Sequence, residues 1–373
     1  MPEIDTDRLR SLAIHSLAVI RGNQAPSGAY LASPTFPVYR YSWFRDGAFI
    51  ADAMSRAGEV GSADAFFDWC RRIVEDRAGQ VHALVARHRA GDRIPARDFL
   101  HTRYTVDGTD SPEEWWTFQL DGYGTWLWAL DAHARRHGTD LARYADAMAL
   151  TVEYLAEFWS EPCYDWWEEH VTERHTSTLA AIHAGLHAVA GRIEIPGPLA
   201  VSAAEATDAI AAAVRSQGVH DGRLTKWLGG TDLDGSLIAC ATPFRLVDPA
   251  GTTARATVAA LEAELAHGGV HRYADDVYYG GGEWLLLAGF LGWHYANVGR
   301  LDDARSQLEW IATHATVDGD LPEQVSDHLL HPETLPEWTA RWGPVARPLL
   351  WSHAMYLTLA LELGIVPLEV VSR

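Results

Sequence analysis

Apolar residues recur at helical spacing along most of the chain, and this pattern predicts a helical protein. Leu9, Leu12, Ala13, Leu17 and Ile20 mark one face of a first helix, capped by Asp5 or Thr6 and ended by Gly22. From Pro26 to Tyr41 the chain is rich in Pro, Gly and aromatic residues and reads as loop. Helical patterns follow over about 48–57 and 62–75. Residues 80–104 are mixed, and Val81, Leu84 and Val85 are read as a short strand or hairpin. A helix then runs to about His137 and stops at Gly138. Thr139 or Asp140 caps the next, which carries Leu141, Tyr144, Met148, Val152 and Leu155 on one face. Further helices are expected over about 176–190, 202–215, 252–267, 283–298, 302–314 and 346–363, with a short one starting at Asp234. Ten or more helices with few strands make the fold class all-α.

The polar, aromatic and Gly-rich motifs fall in the connections that enter these helices. That layout suits a closed double ring of helices whose loops at one end form a site. The most informative connection is Cys163-Tyr164-Asp165-Trp166-Trp167-Glu168-Glu169-His170, with two acids directly after two indoles. Carboxyls beside indoles lose solvation, which favours a protonated acid facing a sugar ring. A second acid stands in Leu321-Pro322-Glu323-Gln324. Cleavage of a glycosidic bond needs two such carboxyls, one to protonate the leaving oxygen and one to act on the other face. Glu168 and Glu323 are the expected pair.

Composition narrows the substrate. The 373 residues are 48% hydrophobic and 21% charged, with a net charge of -20. Such a surface repels nucleic acid and anionic membranes and suits a small neutral oligosaccharide. Three scattered cysteines, Cys70, Cys163 and Cys240, give no disulfide framework. The acidic start of the chain lacks a secretory pattern, and the apolar run from Trp284 to Trp293 is too short to span a bilayer, so a cytoplasmic location is expected. The 18 histidines include no His-Glu-x-x-His spacing; neither a metal nor a cofactor is expected.

Taken together, the motifs resemble glycoside hydrolase family 15, the glucoamylase family. Tyr39 to Asp46 resembles its Tyr-x-Trp-x-Arg-Asp opening, and Gln119-Leu120-Asp121-Gly122 its Gln-x-Asp-Gly motif. Asp165 to Glu169 resembles the acid motif, Arg272 to Gly281 the Arg-Tyr motif, Leu321 to Gln324 the base motif, and Leu350 to His353 the terminal Trp-Ser stretch. The resemblance implies an (α/α)6 barrel and an inverting mechanism. It implies Glu168 as general acid and Glu323 as general base, with Tyr39, Trp43, Arg45, Asp46, Trp167, Glu169, Arg272 and Trp351 around the substrate. Trp166 and Ala274-Asp275 depart from the family pattern, and residues 328–342 look like an inserted loop. One catalytic domain over residues 1–373 is expected, without an N-terminal β-sandwich or a carbohydrate-binding module. The compact chain resembles the isomaltose-cleaving type, which implies exo-acting release of β-glucose from small α-1,6 glucosides. Trehalase activity, α-1,4 glucoamylase activity, a silent sugar-binding protein and an unsaturated uronyl hydrolase are the rivals.

Overall fold

The computed structural model describes residues 5–366. Its α-helices are α1 (Thr6–Gly22), α2 (Phe44–Arg56), α3 (Val60–Asp76), α4 (Ala78–Arg89), α5 (Asp121–His137), α6 (Ala145–Phe158), α7 (Thr176–Val189), α8 (Gly197–Gln217), α9 (Ile238–Ala241), α10 (Thr252–Glu264), α11 (Leu285–Asn297), α12 (Leu301–Thr313), α13 (Leu335–Trp342) and α14 (Leu350–Glu362). Six of them close an inner ring: α2 packs on α5, α5 on α7, α7 on α9, α9 on α11, α11 on α14, and α14 back on α2. Outside lie α1, α3, α6, α8, α10 and α12, each against one or two ring helices. The architecture is an (α/α)6 barrel.

The sequence sorts the two rings by their apolar coverage. Every residue of α11 from Leu285 to Tyr295 is buried, and so is every residue of α14 from Leu350 to Ala360. A helix apolar on all sides has to lie inside. By contrast, α1 buries the single stripe Leu9, Leu12, Ala13, Ser16, Leu17 and Ile20 and carries its charged residues Asp7, Arg8, Arg10 and Arg21 elsewhere. The contact between α5 and α7 is closer than ordinary side chains permit. A Cβ on Gly124 would lie 2.3 Å from the carbonyl oxygen of Ala181, and one on Gly185 would lie 2.3 Å from that of Gly124.

One expectation fails. Val81, Leu84 and Val85 are not a strand; they are the buried face of α4. Their spacing of i, i+3 and i+4 is itself helical. The inserted segment 328–342 also has structure, a 3-10 turn followed by α13. Strands are two residues long and pair antiparallel. Ser42–Trp43 pairs with Arg103–Tyr104, and Glu283–Trp284 lies between Val270–His271 and Gln324–Val325. The second group joins the loop before Arg272 to the loop after Glu323.

The inner helices share an orientation that places the chemistry. Trp43 to Asp46 open α2, Asp121 opens α5, the Trp-Glu-Glu turn precedes α7, Asp234 precedes α9, Trp284 precedes α11 and Trp351 begins α14. The motifs thus gather at one end of the ring. No helix among the described residues is long and apolar enough to cross a membrane.

Candidate active site

A pocket opens at that end. It brings together Tyr39, Trp43, Arg45, Asp46, Trp167, Glu168, Glu169, Arg272, Glu323 and Trp351, which come from five separate stretches of chain. Its depth is lined by buried residues, among them Arg45, Trp166, Trp284 and Trp351. Its rim carries the exposed Trp116 and the half-buried Trp115, Trp338 and Trp342.

Glu168 sits in a turn built by Asp165. The carbonyl of Asp165 accepts the Glu168 amide at 3.0 Å, and its Oδ1 accepts the amides of Trp167 and Glu169, each at 2.9 Å. The turn holds Glu168 at φ 66°. A non-glycine residue there costs on the order of 1–3 kcal/mol, which the surrounding bonds must offset. Glu168 Oε1 accepts from Trp43 Nε1 at 2.8 Å and from Gln119 Nε2 at 3.2 Å. The two indoles of the motif line the same pocket but do not hydrogen-bond this acid. Trp166 packs with Phe49, Phe290 and Trp351, and Trp167 Nε1 donates to both oxygens of Asp234 at 3.1 and 3.0 Å. Glu168 itself is only half-buried.

The fully buried member of the pair is Glu323, 2% exposed. Burial pushes its carboxyl up to about 8, while the Tyr39 hydroxyl and the Arg272 charge pull it back. Tyr39 donates to Glu323 Oε1 at 2.9 Å, and its hydroxyl lies 3.1 Å from that of Tyr278. The Tyr39 ring meets the Trp43 ring edge-on at 5.7 Å, so the two rings stand in line between the two carboxyls. Helix α14 fixes the Glu323 loop from behind. Ser352 Oγ donates to the Pro322 carbonyl at 2.9 Å, and His353 Nε2 accepts the Leu321 amide at 3.0 Å. Burial holds His353 down to about 3, so it stays neutral and able to accept.

Arg45 Nη1 donates to Gln119 Oε1 at 2.7 Å and Asp121 Oδ2 at 2.9 Å, and its guanidinium lies 5.6 Å from the centre of the Trp351 ring. Burial pushes Asp46 up to about 6 against the pull of Arg45. Arg45 Nε and Asp46 Oδ2 form an ion pair at 3.5 Å, and neither they nor Glu323 Oε2 has a protein hydrogen-bond partner among the described residues, although all three atoms are buried on residues lining the pocket. Buried polar atoms left this way are suited to hydroxyls of a bound molecule. Arg272 is clamped by both oxygens of Asp276, with Nε donating to Oδ2 at 2.7 Å. Its Nη2 lies 3.7 Å from Glu169 Oε1, and Glu169 Oε2 accepts the Tyr273 hydroxyl.

Sequence reasoning missed the rim. Trp338 and Trp342 project from α13, whose segment is strapped to the Tyr278 loop: Thr334 Oγ1 donates to the Val277 carbonyl at 2.7 Å and Tyr279 donates to that of Gly343 at 2.9 Å. Trp338 meets Tyr278 edge-on at 5.0 Å. The helical pair Trp338 and Trp342, spaced i and i+4, was the available signal. Together the groups can hold a sugar ring at depth and present two carboxyls to the bond at its anomeric carbon.

A double ring of helices with such a pocket defines a glycoside hydrolase. Comparison with known proteins agrees. The sequence pattern of glycosyl hydrolases family 15 matches residues 9–361, and the chain belongs to that family. It is 51% identical over 363 residues to the isomaltose glucohydrolase of Kribbella flavida, covering 96% of this chain and 94% of that one. A solved glycosidase with a glutamate-to-alanine replacement, in complex with glucose, superposes with a TM-score of 0.95 at 50% identity, covering 98% of this chain and 100% of that one. The glucoamylase of Saccharomycopsis fibuligera superposes with a TM-score of 0.75 at 14% identity, over 97% of this chain and 96% of that one, and shares the fold.

Proposed function

We propose that the pocket releases β-glucose from the non-reducing end of small α-glucosides by inversion, with an α-1,6 disaccharide of the isomaltose type as substrate. The observation that carries this reading is the meeting of Glu168 and Glu323 in one pocket whose lining includes the buried Arg45, Trp166, Trp284 and Trp351. The likeness to an isomaltose glucohydrolase at 51% identity supports the linkage. Arg45, Asp46 and Arg272 grip the hydroxyls of the terminal glucose, and Trp351 forms part of the floor beneath it. Glu168 donates a proton to the glycosidic oxygen. Glu323, once ionised, takes a proton from water attacking the opposite face. Tyr39 orients Glu323, and Trp43 orients Glu168. No step calls on a metal. The three buried, unpaired cysteines are in keeping with a cytoplasmic setting.

Proton NMR of the first product tests the stereochemistry. β-Glucose appearing before mutarotation supports the reading, and α-glucose refutes inversion. A panel of isomaltose, maltose and trehalose tests linkage. The highest kcat/KM should fall on isomaltose, and a preference for trehalose or maltose would overturn that assignment.

A further inference from the structure

Of the 30 Lys and Arg residues in the chain, one is a lysine, Lys226. It is 4% exposed, and it does not line the pocket. Its Nζ lies 3.1 Å from Asp234 Oδ2, 3.7 Å from Asp165 Oδ2 and 3.4 Å from the centre of the Tyr273 ring. Each of these three neighbours holds part of the site. Asp165 accepts the amides of Trp167 and Glu169 and so sets the turn on which Glu168 rides. Asp234 clamps the Trp167 indole, and the next amide, Gly235 N, donates to the Arg272 carbonyl at 2.7 Å. Tyr273 donates its hydroxyl to Glu169. The lysine backbone is fixed as well: its amide donates to the Asp232 carbonyl at 2.8 Å, and its carbonyl accepts the first amide of α7, Thr176 N, at 3.0 Å.

We propose that Lys226 is a positioning residue for the proton donor: its ammonium holds Asp165 and Asp234 together as paired anchors, and the pair fixes the turn that aims Glu168. The inference rests on the reading of Glu168 as the acid. Burial and the nearby Asp234 hold Asp165 well above the ordinary carboxylate range against the pull of Lys226, so removing the cation leaves two acids in a dry site that can keep their charges only at a cost. The turn is under backbone strain at Glu168, so it depends on the bonds from Asp165 to keep its shape. A compact ammonium fits between two carboxylates and a ring face, whereas a planar guanidinium calls for a fork of acceptors. Asp165, Glu169 and His170 also bring ligand atoms within 4.8 Å of one another, a grouping able to hold a cation. Lys226 already supplies the positive charge on Asp165 and disfavours a second one.

The leaving group separates positioning of the acid from general support of the pocket. A fluoride departs with far less need of a proton than a sugar hydroxyl does. K226M should therefore lower kcat on isomaltose, or on whichever disaccharide the wild type turns over, by at least about tenfold with KM nearly unchanged, while kcat on α-glucosyl fluoride falls by no more than about threefold. Equal losses on both substrates, or an unchanged kcat on the disaccharide, would overturn the proposal. E168Q run in parallel isolates the parent reading: if E168Q keeps full turnover, Glu168 is not the acid, whereas an inactive E168Q beside an unaffected K226M sinks the lysine alone. If K226M does not fold, the native protein supplies the test. Lys226 should resist acylation by an amine-reactive ester in the folded enzyme and react in denaturant, as read by the mass of its peptide. Acylation in the folded state at the rate of a free amine would overturn its burial between the two aspartates.

Discussion

Glu168 and Glu323 occupy unlike surroundings, and the difference sets their behaviour. Glu168 accepts two hydrogen bonds at one oxygen and keeps partial access to water. Glu323 is sealed, with its second oxygen unbonded within the protein. E168Q and E323Q should each lower kcat by about 10²–10⁴-fold while glucose still binds, a result that activity assays and calorimetry would check. The pH dependence follows from Glu323. Its carboxyl stays protonated to about 8 in the free enzyme, so the acid limb of kcat/KM should lie well above the ordinary carboxylate range; a limb near pH 4 would contradict the burial seen here. The same shift bears on stability. The folded value lies above the unfolded one, so the contribution of Glu323 is complete below about 4.5 and is lost as the pH rises through about 8. Thermal melts should show the wild type losing more stability than E323Q between about pH 5 and pH 8. The sequence made both acids visible through their motifs. Their burial was not visible, because the atoms that seal Glu323 belong to Tyr39, Arg272 and Tyr278, far along the chain. Lys226 was visible as the only residue of its type, and its partners were not.

At the scale of elements, helices were legible wherever one apolar face repeated over several turns. The misreading at Val81, Leu84 and Val85 came from a short helix with three buried side chains, too few to define a period against its basic neighbours. Helix α13 was hidden for a different reason: it buries no residue fully, since its face is spent on the pocket rim. Its tryptophans line the pocket. W338A should raise KM for a disaccharide about fivefold with little change in kcat, from the loss of about 1 kcal/mol of ring contact. Steady-state kinetics would check it, and a change confined to kcat would contradict the placement.

At the scale of the molecule, the ring was legible as a count of helices with motifs at their entries, but not as a set of neighbours. Which helices touch is decided by packing details such as the paired glycines of α5 and α7. G124A should destabilise by about 1–3 kcal/mol, read as a lowered Tm, because the methyl has only the backbone of α7 to move into.

Closure of the ring has a further consequence. Helix α14 comes last in order among the described helices, yet it sits between α2 and α11, bonds α1 from Tyr356 to the Leu9 carbonyl and from His353 to Ser16, and braces the Glu323 loop. A nascent chain that has not yet emerged past Leu350 therefore exposes two apolar helix flanks and owns no working pocket. The ring cannot close until α14 is made, and a chain stopped before that point lacks the helix that completes it.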